Sequence, residues 1–135
     1  MEPQVTAHFA DLIALAQAAL TQVEYSTDIT PDRAILRLHA RYGRRYRVFA
    51  TELFSEGIRK YSYYALVDDR VEAGFDNSPD PRALHLKYDR STKEHLGEHI
   101  PHLHQDDKTR LSLTEEMTFT DFINWLQSNV TASSS

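Results

Sequence analysis

The sequence predicts an α+β domain: a four-stranded antiparallel meander sheet packed by an N-terminal and a C-terminal helix, with a long His-rich loop. Two patterns predict this class. Apolar residues recur every three to four positions near both ends of the chain, whereas between residues 33 and 76 they alternate with polar ones. The length of 135 residues fits one domain. We place that domain at residues 1–130 and expect a disordered polar tail over 131–135.

The first element is an amphipathic helix over roughly residues 3–24. Pro3 suits its first turn, because a proline lacks the N–H that would be unpaired there. Asp28 to Pro31 then interrupt the pattern. The apolar positions with helical spacing are Val5, Phe9, Leu12, Ile13, Ala16, Ala19, Leu20 and Val23.

Four strands follow, joined by three short turns. The alternation is clearest in the first strand, where Ala34, Leu36, Leu38 and Ala40 share one face and Arg33, Arg37, His39 and Arg41 the other. A sheet with this alternation packs one face on a core and leaves the other exposed. We place the strands at residues 33–42, 45–54, 58–67 and 70–76.

Residues 78–110 show no clear periodicity. They contain three of the five prolines and five of the seven histidines. Proline fixes φ and removes a hydrogen-bond donor, so Pro79 and Pro81 exclude a continued strand. A long irregular stretch in a small domain is commonly functional or disordered. We therefore predict a loop here.

The last element is a helix of about three turns. It is predicted by the spacing of Phe119, Phe122 and Ile123, which Leu126 continues. Thr114 or Thr118 could cap its N-terminus. Trp125 is expected to anchor the helix on the sheet.

The charge is strongly polarised along the chain. The formal net charge is −5, yet residues 31–60 carry eight basic and three acidic side chains, whereas residues 91–130 carry three basic and seven acidic ones. The basic residues are nearly all arginine, whose planar guanidinium suits phosphate and stacks on bases. The candidates for binding nucleic acid are Arg37, Arg41, Arg44, Arg45, Arg47 and Lys60. Aromatic residues close in sequence could stack on bases: Tyr42, Phe49, Tyr61, Tyr63 and Tyr64. The alternative is a solvated face that pairs with the acidic segment of the same or a second subunit.

Clustered histidines are the second candidate for chemistry. His95, His99, His102 and His104 fall within ten residues. They could ligate a transition metal, with Glu98, Asp76 or Asp80 completing the site. One of them could instead act as a general acid or base near neutral pH. The third interpretation is a mobile polar loop, and no tight metalloenzyme motif decides between the three.

Several classes are excluded. The chain has no cysteine, which rules out disulfides, thiolate zinc sites and a thiol nucleophile. It has four glycines and no nucleotide-binding loop, so we expect no cofactor. The N-terminal segment resembles neither a signal peptide nor a membrane span, so we expect a cytoplasmic protein without membrane contact. The edge strands of the predicted sheet make a homodimer plausible.

The order of motifs resembles the TumE-type toxin family of prokaryotic toxin–antitoxin systems. The similarity rests on Lys60-Tyr-Ser-Tyr-Tyr64, then Gly74-Phe-Asp-Asn-Ser-Pro79, then the His-rich stretch, within residues 33–128. This resemblance implies a type II toxin that binds RNA and has ribonuclease activity. It also implies a helix-turn-helix antitoxin, encoded by the adjacent gene, as partner.

A metal-independent ribonuclease would need three kinds of group. An arginine such as Arg47 would stabilise charge on the phosphate. Tyr63 or a histidine would take the 2′-hydroxyl proton, and another histidine would protonate the leaving oxygen. The catalytic candidates are therefore Arg47, Tyr63, His99, His102 and His104. The alternatives are a non-catalytic module that binds nucleic acid or protein, and a metal-dependent nuclease that uses the histidines with Asp76.

Overall fold

The computed structural model describes residues 3–88 and 97–130, which form a seven-stranded antiparallel sheet and three helices. The prediction of a four-stranded sheet with two helices is therefore wrong. In chain order the elements are α1 (Pro3–Ala19), β1 (Thr21–Ile29), β2 (Arg33–Tyr42), β3 (Tyr46–Ser55), β4 (Ile58–Val67), β5 (Arg70–Asp76), α2 (Pro81–Tyr88), β6 (His102–Gln105), β7 (Arg110–Leu113) and α3 (Phe119–Asn129).

The strands lie in the sheet in the same order as in the chain, β1 to β7, and every neighbouring pair is antiparallel. α1 and α3 pack on one face of this sheet, here called the helix face. Apolar residues of β2 to β5 form the core with them. The alternation in the sequence predicts this face for Ala34, Leu36, Leu38 and Ala40 of β2. The core includes Leu12 and Ala16 of α1, Leu36, Val48, Tyr63 and Phe75 of the sheet, and Phe122 and Leu126 of α3.

The first helix is shorter than predicted, because its last positions belong to β1. Val23 keeps the helical spacing of the preceding apolar residues, but it also begins an alternating series with Tyr25, Thr27 and Ile29. Such β-branched and aromatic residues favour a strand. β1 pairs with β2 over Glu24 to Ile29 and forms one edge of the sheet. The helical and the alternating pattern overlap at Val23, and the structure places this residue in β1.

The region predicted as a loop contains α2 and β6, and β7 begins at its last residue. Asp80 accepts a hydrogen bond from the Arg82 N–H at 2.8 Å and so caps α2, whose first residue is Pro81. β6 and β7 have four residues each, too few to show a period in the sequence. His102 and His104 occupy alternate positions of β6 and are buried, so the histidines that indicated a polar loop lie inside a sheet.

α3 begins after Thr118, as one of the two predicted caps requires. The Thr118 side chain accepts from the Asp121 N–H, and the Asp121 carboxylate accepts from the Thr118 N–H, which forms a capping box. Trp125 packs edge-on against Phe75 of β5, as expected for an anchor of this helix. Within the described residues, no helix is long and apolar enough to cross a membrane.

α2 packs on the opposite side of the sheet from α1 and α3. Its buried Ala83 and Leu84 contact Ile100 and Leu111. Leu111 is paired with His104 and shares its side of the sheet. α2 therefore covers the end of this side formed by β6 and β7. The remainder of that side, over β2 to β4, carries no helix among the described residues and is here called the open face.

Candidate functional site

The strand register aligns side chains of β4, β5 and β6 on the open-face side. Ser62 is paired with Asp76, and Asp76 with His102. In the next row, Tyr64 lies opposite Gly74, and Gly74 opposite His104. Directly paired residues point to the same side of a sheet. Asp76, His102 and His104 consequently form one cluster, here called the His–Asp centre.

The polar atoms of the His–Asp centre converge on one point. His102 Nε2 lies 3.1 Å from Asp76 Oδ1 and 3.1 Å from His104 Nε2. His104 Nε2 lies 3.5 Å from Asp76 Oδ2. The two imidazole rings are nearly perpendicular, at 88°. Three ligand atoms with this separation are a group that could hold a metal ion.

The motif Asp76-Asn77-Ser78-Pro79 positions the carboxylate. Asp76 Oδ1 accepts from the Ser78 N–H at 3.0 Å, which fixes its rotation. Asn77 accepts from the Tyr61 N–H at 2.9 Å and donates to the Arg59 carbonyl at 2.9 Å, so its side chain continues the pairing with β4. The motif thus ends β5 while holding Asp76 toward the histidines.

Gly74 makes room for the ring of Tyr64. A Cβ at position 74 would lie 2.6 Å from Tyr64 Cε2, closer than van der Waals contact allows. Because position 74 has no side chain, the Tyr64 ring lies across β5, where its hydroxyl donates to Asp76 Oδ2 at 2.9 Å. The ring also approaches His104, with centroids 6.3 Å apart. Tyr64 is therefore part of the wall of the centre.

Hydrogen bonds fix the orientation of both imidazoles. His102 Nδ1 lies 2.7 Å from the Ile100 carbonyl, so this nitrogen carries a proton and Nε2 faces the centre. His104 Nδ1 lies 3.4 Å from an Arg82 guanidinium nitrogen. Asp80 Oδ2 lies 3.9 Å from His102 Nε2 at the edge of the centre.

The pKa values in the centre shift in opposite directions. Burial by itself would raise the pKa of Asp76, but hydrogen bonds from His102 and Tyr64 bring it below its ordinary value. Burial would lower the pKa of His102, but Asp76 and the Ile100 carbonyl raise it above its ordinary value. Burial and the charge of His102 lower the pKa of His104. Asp76 therefore favours its ionised form, and its carboxylate favours the protonated form of His102 over that of His104.

The centre is covered but has a charged rim. His102 is 1% exposed, His104 4% and Asp76 7%. The Arg82 side chain is 52% exposed, donates to the Lys108 carbonyl at 2.9 Å and pairs with Asp80. The Lys108 ammonium lies 5.1 Å from the centroid of the Tyr64 ring. An approaching anion would meet these two cations before it reached the buried ligands.

The structure separates the predicted catalytic and metal-binding residues. Among the described residues, Asp76, His102 and His104 are the predicted ones that meet in the centre. His99 is exposed and His95 lies outside the described residues. Tyr63 is fully buried on the helix face, where it donates to Glu52, because odd-numbered positions 61, 63 and 65 of β4 point to the core. A role for Tyr63 in proton transfer at the centre is excluded by this placement.

The predicted nucleic-acid-binding residues lie in two groups. Arg37 of β2 and Lys60 of β4 lie in mid-sheet, on the open face. Arg41 and Arg47 are paired with each other near the β2–β3 turn, which contains Arg44 and Arg45. Arg47 forms an ion pair with Asp69 and is thereby remote from the histidines that it was predicted to assist. Of the five aromatic candidates, Phe49 and Tyr64 lie on the open face, whereas Tyr61 and Tyr63 are core residues.

A second buried polar cluster lies on the helix face. Glu52, 1% exposed, accepts from Tyr63, lies 2.7 Å from His8 Nε2 and 3.4 Å from an Arg59 nitrogen. Arg59 also donates to the Met117 carbonyl at 2.9 Å. Because Glu52 is surrounded by donors, we assign this cluster to holding α1, the sheet and the residues before α3 together.

Tyr64, Arg82 and Lys108 were not predicted as members of a catalytic or metal site. Tyr64 stands only as a stacking candidate in the sequence, and its hydroxyl reaches Asp76 because Gly74 lies opposite it. The sequence does contain one signal for the centre: His102 and His104 are two residues apart, so they lie on the same side if the segment is a strand. The partner strand of β6 could not be read from the sequence.

Comparison with known proteins gives no match: no protein-family model, curated protein or solved structure is similar to this chain. The function is therefore argued from the geometry of the site.

Proposed function

We propose that the protein binds single-stranded RNA on the open face and cleaves it at the His–Asp centre. The observation that carries the proposal is the register of the sheet. One row of directly paired residues runs from Arg37 through Thr51, Ser62 and Asp76 to His102. Cationic, hydroxyl and His–Asp groups thus lie in line on one side of one rigid sheet. Sites built on strands hold their geometry better than sites on loops.

The open face has the chemistry that RNA binding needs. A groove of about 390 Å³ is lined by Arg37, His39 and Phe49, among others. His39 and Phe49 stack with centroids 4.6 Å apart, and Phe49 is 37% exposed. An adjoining groove of about 180 Å³ is lined by Arg37, Lys60, Ser62 and Ser78, and so extends to the motif that holds Asp76. Exposed aromatic rings beside cations support binding of unpaired bases.

The reaction that we propose is an internal transfer of the phosphodiester. The 2′-oxygen of a ribose bonds to the adjacent phosphorus while the P–O5′ bond breaks. The products are a 2′,3′-cyclic phosphate and a 5′-hydroxyl. One proton leaves the 2′-hydroxyl and one reaches O5′, and Asp80 and the imidazoles are the nearby acceptors and donors. Arg82 and Lys108 at the rim would stabilise the charge that develops on the phosphate.

Cleavage is tested with the purified protein and a labelled single-stranded RNA. We compare the wild type with Asp76→Asn, and use His99→Ala as the matched control, because His99 is exposed and outside the centre. We expect Asp76→Asn to slow cleavage at least about 100-fold, with circular dichroism confirming the fold, and His99→Ala to leave it unchanged. Equal cleavage by the wild type and Asp76→Asn contradicts the proposal.

Binding is tested separately by the salt dependence of RNA affinity. Each phosphate contact that is lost should reduce the slope of log K against log salt by about 0.7 for a single strand. We expect this reduction for Arg37→Gln. Arg110→Gln is the control, because that side chain is 70% exposed at the far end of the sheet, on β7. Equal slopes for the wild type and Arg37→Gln would contradict RNA binding on the open face.

A non-catalytic RNA-binding module is the second candidate, and the burial of the His–Asp centre favours it. Each of its three residues has between 1% and 7% of its surface exposed, which leaves little room for a substrate. RNA binding with the expected salt dependence, but without cleavage by the wild type, identifies this alternative.

The cellular role that we propose is that of a toxin of a type II toxin–antitoxin system, acting in the cytoplasm. The similarity of Tyr61-Ser-Tyr63 and Asp76-Asn-Ser-Pro79 to the TumE-type pattern supports it. Induced expression in a bacterial host should arrest growth, and co-expression of an adjacent helix-turn-helix gene should restore it. Normal growth with wild-type protein accumulating in the folded state contradicts this role.

A further inference from the structure

We propose that Asp76, His102 and His104 bind a single divalent transition-metal ion. Ligands about 2.1 Å from one ion lie roughly 3.0 Å apart at right angles and roughly 3.4 Å apart in a tetrahedron. His102 Nε2 lies 3.1 Å from His104 Nε2 and 3.1 Å from Asp76 Oδ1, and the other carboxylate oxygen, Asp76 Oδ2, lies 3.5 Å from His104 Nε2. One ligand atom from each residue lies within 4.8 Å of the other two, so small side-chain rotations would bring the three to the spacing of a metal site.

The groups around the ligands are those that metal sites use. His102 donates from Nδ1 to the Ile100 carbonyl, so Nε2 faces the centre and binds an ion once the proton it shares with Asp76 is displaced. Asp76 is oriented by the Ser78 N–H and the Tyr64 hydroxyl. The ligands come from β5 and β6, which are directly paired. Their relative positions are consequently fixed by backbone hydrogen bonds.

The ligand set selects the kind of ion. Two imidazoles and one carboxylate suit Zn²⁺, Fe²⁺, Co²⁺ or Mn²⁺, whereas Mg²⁺ and Ca²⁺ prefer oxygen ligands. Three protein ligands leave at least one coordination position for water or substrate. Asp80 lies at the edge of the centre, with Oδ2 3.9 Å from His102 Nε2, and is placed to accept a proton from a bound water.

Metal binding requires one local rearrangement. An Arg82 guanidinium nitrogen lies 3.4 Å from His104 Nδ1, and arginine can only donate there. When Nε2 binds an ion, Nδ1 of the neutral imidazole carries the proton, so Arg82 must turn away. Its side chain is 52% exposed and has room to do so. The freed guanidinium would then face the incoming phosphate.

Within the proposed ribonuclease, on which this step rests, the ion would polarise a phosphate oxygen and so stabilise its negative charge. Because the ion would occupy Nε2 of both imidazoles, the proton transfers of the metal-loaded protein would fall to Asp80 and a bound water. The inference of metal binding itself does not require that the substrate be RNA. A DNA or nucleotide phosphodiester would use the same centre.

Binding is tested on the full chain after removal of metals by chelation. Zn²⁺ and Co²⁺ are titrated separately, without RNA, by calorimetry, and bound metal is counted after dialysis. We expect one ion per chain and a visible absorption band with Co²⁺. His104→Ala should weaken binding about 100-fold or more. His99→Ala and His85→Ala, in exposed histidines of the same region, should not change it.

The result that overturns the inference is no stoichiometric metal on the folded wild-type protein. Binding that survives His104→Ala but is lost in His99→Ala also overturns it, since the ions would then be held by exposed histidines. If His104→Ala does not fold, the number of metal ions bound per wild-type chain still decides the question. Metal binding without RNA cleavage contradicts only the proposed function, whereas full cleavage by a metal-free protein contradicts only the role given to the ion in cleavage.

Discussion

Gly74→Ala should disrupt the His–Asp centre through Tyr64. A Cβ at position 74 would lie 2.6 to 2.8 Å from three atoms of the Tyr64 ring, and carbon atoms pack at about 3.5 to 4.0 Å. The ring must therefore move by about 1 Å. Its hydroxyl donates to Asp76 at 2.9 Å, so the same movement breaks that hydrogen bond.

The expected loss of stability follows from these two effects. Overpacking a core costs about 1–3 kcal/mol, and a hydrogen bond to a charged group is worth about 1.5–3 kcal/mol. Since the ring shift relieves part of the overpacking, we expect the free energy of unfolding to fall by about 3 kcal/mol. For a domain of this size that lowers Tm by roughly 10 °C.

Thermal unfolding of four variants separates the clash from other effects. Gly97→Ala is the control, because no atom of the described residues lies within 4 Å of a Cβ there, and it should change stability by under about 0.5 kcal/mol. Combining Gly74→Ala with Tyr64→Ala removes the clash, so the two changes should be coupled by about 2 kcal/mol. The reasoning is refuted if Gly74→Ala is as stable as Gly97→Ala, or if Tyr64→Ala does not reduce its effect.

Three further predictions address the cap, the second polar cluster and the rim. Thr118→Ala should lower the free energy of unfolding by about 1 kcal/mol, measured in urea, because it removes half of the capping box; an unchanged midpoint contradicts this. Glu52→Gln should lower it by about 2 kcal/mol, because Arg59 loses its buried carboxylate partner, and a more stable variant would show that the charge is not needed. Arg82→Gln should tighten Zn²⁺ binding several-fold, because it removes a cation beside His104, and weaker binding in calorimetry would contradict that reasoning.

The sequence predicts the central strands because their periodicity is long and uninterrupted. The expected spans 58–67 and 70–76 agree with β4 and β5, and the span 33–42 agrees with β2. β1 was missed because Val23 fits both a helical and an alternating pattern. β6 and β7 were missed because a strand of four residues contains too few alternations to stand out.

The residue types of the centre could be predicted, but their grouping could not. Asp76, His102 and His104 were candidates, together with His99, which is exposed, and Tyr63, which faces the core. The pairing of β5 with β6 brings Asp76, His102 and His104 together and leaves the other candidates out. This pairing joins residues far apart in sequence, so the sequence did not predict it. The position of α2 beside the two histidines was likewise not predicted, because the sequence of that helix is interrupted by polar residues and begins at Pro81, two residues after Pro79.

The order of the strands also bears on how the site is made. Most neighbouring strands are joined by two to four residues, so each can be added by closing a hairpin, but 25 residues separate Asp76 from His102. Closing that longer loop costs about 2 kcal/mol more in chain entropy than closing a three-residue turn. The β5–β6 pairing should therefore form late in folding, and it is the pairing that creates the centre. During synthesis and refolding, the chain would have most of its sheet before it had the His–Asp centre.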